Sequence, residues 1–512
     1  MHAMRLSPPW QPLLLAGLGL LLVLAALTLP GEARAQQGGK EDEELLSGFD
    51  AELPGNTGEN TGEEAGKDAG KDTDLEAGFA DDPLLKGDGA SPEEEAGPGW
   101  LSLSGFLRFS GSYNFAREAP SGPVSPANPD FTGWTKLRTA LQLELSLRLG
   151  ADWDAFVSGQ AFHDAAYGAK GRDNFTPETL AAYEQEGEFR EVYLRGTPAR
   201  WLDVKLGRQI VVWGKSDTMR VNDVLNPLDF REPGLTDLED LRLPLTMTRL
   251  DLFVGDWTLQ TVAVHETRFN KNPVVGSEYY PYPTKAVEEV PGHGGEHTEV
   301  GAALSGVFSG WDAAFYWAQF YDDAPHVRQM LLGPVPTPVM AHSRLTLAGL
   351  ALNATAGSWL LKGEAARFSG LEFYSFAGER TVKSRRDALL GLEYNGFSNT
   401  TLSAEALVQQ IEDYDLAVET ALSPADETYT QYVLLYNGSF LREQLKLVGM
   451  ATLFGKAGRD GAMQRYGFTY ELATALNLGG GVVIYDRGEN RTSLIGSVSD
   501  NDRAYIDLKW DF

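Results

Sequence analysis

The sequence predicts an all-β fold: a transmembrane antiparallel β-barrel of about eighteen strands, with sixteen as the alternative count. Three observations carry this. Apolar residues recur at every second position from Trp100 to the end of the chain. The connections between these stretches alternate between short and long. After residue 35, no uncharged run is long enough to cross a membrane as a helix without a turn signal inside it.

Residues 1–35 are expected to form an export signal. Arg5 lies in a short leading region, Leu13 to Leu29 is almost wholly apolar, and Ala33-Arg34-Ala35 places small residues where a signal peptidase reads. A single membrane anchor is the alternative, disfavoured because Gln36 opens a polar stretch. Residues 36–99 carry 19 acidic and 4 basic side chains among many glycines. Such a segment cannot bury enough apolar surface to offset its ordering entropy, so a disordered acidic linker is expected. Leu45-Leu46 and Phe79 are the positions through which it would dock on a periplasmic partner.

The barrel is expected over residues 100–512. Leu137, Leu141, Leu143, Leu145 and Leu147 alternate with Lys136, Arg138, Gln142, Glu144 and Arg148, which places one set on each face of a strand. Leu101 to Phe115, Val300 to Phe308, Leu445 to Leu453 and Ala504 to Phe512 repeat the pattern. Leu345 to Leu361 is the longest uncharged run, but Asn353 to Ser358 reads as a turn between two strands. The inward face is expected to carry Lys136, Arg138, Glu144, Arg148, Lys205, Glu405, Lys446, Asp507 and Lys509. Among its apolar and aromatic members are Phe106, Leu350, Leu360, Leu407, Met450, Tyr432, Tyr436 and Tyr485.

Short connections fall near 150–152, 197–200, 255–256, 309–310, 355–358, 395–398, 437–441 and 474–475. The long ones fall near 116–133, 166–186, 214–246, 267–296, 322–342, 370–384, 412–426, 455–462 and 488–501. Short turns on one side and long loops on the other are the mark of an outer-membrane barrel, and this places the chain in the bacterial outer membrane. Trp153, Trp201, Trp257, Trp311 and Trp359 each follow a short turn, as a girdle at the membrane–water interface would require. Trp510 and Phe512 end the last strand and read as the signal for the barrel assembly machinery.

The 214–246 connection combines opposed charges with several prolines, which suits a compact loop folded into the lumen. Arg208, Lys215, Arg220, Asp223, Arg231, Arg242 and Arg249 are the candidate pore-constriction residues; the alternative is a salt-bridged surface cap. Leu206-Gly207-Arg208-Gln209 through Trp213-Gly214, followed by Asp223-Val224-Leu225-Asn226-Pro227-Leu228-Asp229, resembles the signature of the outer-membrane family catalogued as domain of unknown function 1302. The likeness is expected over 100–512. It implies a porin-like barrel, handling hydrophobic compounds alongside exporters of the resistance–nodulation–division type, and brings no catalytic residues.

A net charge of -29 argues against a nucleic-acid partner. The absence of cysteine removes disulfides, thiolate metal sites and cysteine nucleophiles. No Gly-x-Ser-x-Gly elbow occurs, so no enzyme is expected. His293 and His297 lie among glycines and read as loop histidines rather than metal ligands, and nothing fixes Asp322-Asp323 or Asp500 and Asp502 as a calcium site. Neither a cofactor nor a resident metal is expected. The sequence thus points to passive passage of a small solute through a lumen narrowed by the 214–246 loop. The alternatives are a channel for hydrophobic or lipid-like molecules and a non-conducting surface receptor or scaffold.

Overall fold

The computed structural model describes residues 99–512, apart from 237–240, 283 and 491–492. The expected export signal and nearly all of the acidic linker, with Leu45, Leu46 and Phe79, lie outside the described residues. The strands, in chain order, are β1 (Leu101–Asn114), β2 (Gly133–Arg148), β3 (Trp153–Asp164), β4 (Gln185–Ala199), β5 (Leu202–Gln209), β6 (Leu245–Val254) and β7 (Trp257–Val264). They continue as β8 (Val287–Glu288), β9 (Glu299–Phe308), β10 (Trp311–Tyr321), β11 (His326–Leu331), β12 (Thr337–Ala341), β13 (Arg344–Ala356) and β14 (Trp359–Tyr374). The last seven are β15 (Arg380–Phe397), β16 (Thr400–Ile411), β17 (Thr428–Phe440), β18 (Leu445–Phe454), β19 (Gly461–Ala473), β20 (Leu476–Asp486) and β21 (Arg503–Asp511).

Eighteen of these strands form one antiparallel sheet, which closes where β1 pairs with β21 on one side and β2 on the other. The eighteen-strand expectation holds. Closure satisfies every strand edge, the only way a sheet can stand in hydrocarbon. The other three strands, β8, β11 and β12, form a small separate sheet within the long connections. Tight turns at the short connections depend on left-handed backbone; Gly310, at φ 82°, allows the two-residue link from β9 to β10.

The outer face is apolar. Leu143, Leu304, Phe315, Leu352, Leu361, Leu390 and Leu434 are exposed large side chains at alternate strand positions. In water this continuous surface would aggregate; it is the lipid-facing band of an outer-membrane barrel. Trp153, Trp257, Trp311 and Trp359 are the first residues of β3, β7, β10 and β14, and Trp201 directly precedes β5. At the same short-turn rim, Phe308 stacks with Trp311 and packs edge-on to Trp257, while Tyr394 packs between Trp359 and Phe397.

Several expectations need correction. Leu350 is 47% exposed and faces outward, because its neighbour Gly349 takes the inward position. Tyr432 and Tyr436 also face outward: they share the face of exposed Leu434, while Val433 and Leu435 point in. β5 ends at Gln209 rather than at Trp213-Gly214, since residues 210–214 turn into the lumen. Finally, β14 and β15 pair up to Tyr374 and Arg380, so the expected 370–384 loop shrinks to 375–379. Polar pairs such as Arg380–Glu372 disguise this extension as loop sequence.

Candidate functional site

The segment from Ile210 to Pro244 leaves β5 and lies inside the barrel, and the residues of the signature hold it there. Asn226 accepts from the Val211 backbone N–H (2.8 Å) and donates to the Leu243 carbonyl (2.9 Å), tying the two ends of the segment together. Asp223 accepts from the Trp213 N–H and pairs with Arg242 at 2.9 Å. Arg220 donates to the carbonyls of Asp223 and Asn226 at 2.6 and 2.7 Å. These bonds supply partners to a buried stretch of backbone that has no strand beside it. Gln209, fully buried, donates to the Lys205, Gly207 and Met247 carbonyls where the wall is interrupted.

The far side of the segment is pinned to the barrel wall. Glu364 on β14 accepts from the backbone N–H groups of Lys215 (2.6 Å), Ser216 (2.8 Å) and Asn222 (3.2 Å), and from the Asn222 side chain (2.8 Å). Glu405 on β16 accepts from the Ser216 and Thr218 hydroxyls and the Asp217 N–H. Lys362 pairs with Asp217. Burial pushes the Asp217 carboxyl up to about 6, with Lys362 pulling the other way. Gly214 stands at φ 90°, and a Cβ there would lie 2.9 Å from both Glu364 carboxylate oxygens. Val211, Trp213, Met219, Val221 and Leu225 pack on inward residues of β6 to β17, including Met247, Tyr316, Leu347 and Leu407. The inward apolar patch around Leu407 is therefore a packing surface for the segment.

A second inserted stretch, within 265–298, escaped the sequence reading. Glu278 pairs with Arg503 of β21 at 2.8 Å, and Tyr279 packs with Val483, Tyr485 and Val498. Lys271 bonds Glu186 and Glu188, to which Arg231 and Arg208 also bond. His342 lies with Nδ1 2.7 Å from the Asp322 carbonyl and Nε2 2.9 Å from Glu288, stacked on Phe269, and so joins the 322–343 connection to this stretch. The only signal in the sequence was the Tyr279-Tyr280-Pro281-Tyr282 run, too aromatic for a solvated loop.

Between these inserted stretches and the strands lies a cavity of about 2860 Å³. Its lining begins at the short-turn rim with Asn395, Phe397, Arg442 and Asp511, and reaches Tyr280, Pro325, Asp426 and Asn490 at the long-loop rim. β1, β2 and β14 to β21 supply its wall; the folded-in segment contributes Asp217, Thr218, Phe230, Pro233, Gly234, Thr236 and Leu241. Phe106, Leu360, Leu435 and Met450 make part of the wall apolar, while Arg108, Glu144, Lys446, Arg465, Asp507 and Lys509 make the rest charged. The Tyr505 ring rests over Gly467 and Gly481, where a Cβ would meet its hydroxyl at 2.5 and 2.7 Å, and Arg465 donates to that hydroxyl at 3.1 Å.

The seven candidate constriction residues fall into separate groups. Arg220, Asp223 and Arg242 meet in one buried cluster. Arg208 (to Glu188 and Glu266) and Arg231 (to Asp229 and Glu186) join the cluster that Lys271 forms with Glu186 and Glu188. Lys215 pairs with Asp312 at 2.5 Å and Arg249 with Asp251 at 2.8 Å. None of the seven is among the residues lining the cavity; Lys215, Arg220, Asp223, Arg231 and Arg242 hold the segment from behind, while Arg208 and Arg249 pair with carboxylates outside it. Half-buried Glu232 bonds Lys136 and Arg138 at 2.6 and 3.0 Å; desolvation works to raise its pKa, but these two cations hold it well below the usual carboxylate range.

His293 accepts from the Thr267 N–H, whereas His297 meets the Tyr321 hydroxyl, so the two histidines serve different partners. Asp500 pairs with Arg117, Asp502 accepts from the Tyr485 N–H, and Asp322 accepts from the Ala324 N–H. Among the described residues, no group of three or more His, Asp or Glu side chains is arranged to hold a metal ion.

Three solved porin-type structures are similar to this chain. OccAB3 of Acinetobacter baumannii is 10% identical at TM-score 0.48, covering 80% of this chain and 99% of that one. OpdK of Pseudomonas aeruginosa, solved with vanillate, is 10% identical at TM-score 0.47, covering 80% and 98%. A BenF-like porin from Pseudomonas fluorescens Pf-5 is 10% identical at TM-score 0.46, covering 81% and 97%. No curated protein matches the chain. The family model described as "Protein of unknown function (DUF1302)" matches residues 16–512, reaching further toward the N-terminus than the expected 100–512, and the chain belongs to that family.

Proposed function

We propose that this barrel is a channel for passive passage of a small solute across the outer membrane, its lumen narrowed by the folded-in segment 210–244. The observation carrying this reading is the cavity, whose lining takes in residues at both rims of the barrel. A scaffold has no use for such a path. Lys215, Arg220, Asp223, Arg231 and Arg242 act in this reading by fixing the segment that sets the bore, Arg208 and Arg249 by bracing the wall beside it, and the tryptophan rim seats the barrel at the periplasmic interface. The test is single-channel conductance of refolded, heat-modifiable protein in a planar bilayer in potassium chloride. Steady open steps support the channel, and silence from folded protein refutes it.

A second reading, passage of hydrophobic molecules alongside an envelope exporter, is favoured by one observation: Phe106, Phe230, Leu360, Leu435 and Met450 all border the same cavity. Dye-partition uptake by proteoliposomes in the absence of ion conductance would select it.

A further inference from the structure

The charge of the barrel is sorted by position. The nine long connections, taken between the strand ends, hold 30 acidic and 15 basic residues. The strands and short turns of residues 100–512 hold 22 of each. The whole negative excess of residues 100–512 therefore lies in the long connections, two thirds of it in the seven that stay at the long-loop end and a third in the two that carry inserted stretches. The connection 412–427 alone carries six acidic residues and no basic one. Ordinary solubility does not account for this, because a solvated loop end is served equally well by interspersed charges of both signs.

The cavity opens among these connections. Where they line it, among the described residues, the carboxylates of Glu178, Glu288, Glu419, Asp426 and Asp460 stand against the ammonium of Lys285, which Glu178 meets at 3.1 Å. Deeper in, the lining is nearly balanced, with Arg108, Lys362, Lys446, Arg465 and Lys509 offsetting the acidic groups of the strands and of Asp217. A water-filled mouth with low-dielectric walls focuses the field of such an excess and concentrates counter-ions. The rings of Tyr282 and Tyr414 border the same mouth, and their faces add attraction for organic ammonium groups.

We infer that the channel selects cations over anions, that the long-loop mouth rather than the folded-in segment is the selecting element, and that its solutes are inorganic cations or small organic amines. This rests on the channel reading of the cavity. A transverse constriction field would instead place the selecting charges on the segment, yet the segment's arginines are paired with carboxylates and do not line the cavity.

The test is the reversal potential of the full-length barrel across a potassium chloride gradient. Potassium is expected to permeate several-fold better than chloride at about 0.1 M. That preference shrinks at about 1 M, because the screening length falls from roughly 10 Å to roughly 3 Å. The double variant Glu419→Gln, Asp426→Asn should lower the ratio, whereas Asp217→Asn, on the segment, should change it less. Heat-modifiable migration shows that each variant is folded. Conductance with no preference, or with chloride preferred, overturns the inference while leaving the channel intact. So does a larger effect from Asp217→Asn than from the mouth variant. Absence of any conductance overturns the channel reading itself.

Discussion

Replacing Glu364 with alanine is the most direct way to release the folded-in segment. This carboxylate is 4% exposed and accepts four hydrogen bonds, three of them from backbone N–H groups at 215, 216 and 222. A bond to a charged acceptor is worth about 1.5–3 kcal/mol, and an orphaned buried donor costs a similar amount. Water filling the vacated space would recover part of that, leaving a net loss of about 3–4 kcal/mol in the local stability of this stretch. At about 1.4 kcal/mol per tenfold, amides 215–222 should exchange roughly 10²–10³-fold faster with deuterium. Hydrogen-exchange mass spectrometry on the refolded barrel reads this directly. Single-channel records should show a larger open level with added flicker as the segment leaves the wall. Glu364→Gln keeps one acceptor oxygen and should fall between the two. If Glu364→Ala folds and leaves both protection and open level unchanged, the segment is not held by these bonds and the account of the bore fails.

Three further outcomes follow from the same geometry. Gly214→Ala forces a Cβ onto the Glu364 carboxylate at a left-handed φ, and should lower the barrel's resistance to urea by about 1–3 kcal/mol; an unchanged midpoint would contradict the close approach. Glu232 has a folded pKa depressed below its unfolded value near 4.5, so its stabilisation is complete above that value and is lost as pH falls through the folded one. Segment protection should weaken below about pH 4, and Glu232→Gln should lessen that acid dependence, as exchange at pH 3 and pH 7 would show. Phe512 exchanges two backbone bonds of 2.9 Å with Gly105 across the closing seam, so deleting it should reduce the amount of heat-modifiable barrel in outer membranes. Wild-type yield would remove its role in assembly.

The barrel was legible in the sequence because lipid on one side and water or packed loop on the other impose a strict period of two. Leu137 to Leu147 could hardly be read otherwise. The sorted connections gave the strand number for a similar reason: each strand must cross the same thickness. What the bilayer does not impose was harder to read. Val211-Val212-Trp213 has the composition of a strand, yet it leaves the wall because Asp223 and Asn226, ten and fifteen residues downstream of the groups they bond, supply its hydrogen bonds. Tyr432 and Tyr436 were placed inward because tyrosine is amphipathic and suits either face. The candidate constriction arginines fall into separate groups, because a charge in a sequence does not reveal its partner, and each of them is paired with a carboxylate.

The anchoring of the 210–244 segment also has a bearing on the order of assembly. Ser216 is held by Glu405, 189 positions later, and the Pro233 carbonyl accepts from Tyr485, 252 positions later. Contacts this remote form only after the intervening chain has been gathered, which makes them slow relative to hairpin closure. The segment would then settle last, inside a cylinder already inserted, and a newly assembled barrel would pass through a wider, leakier stage before maturing to its final bore.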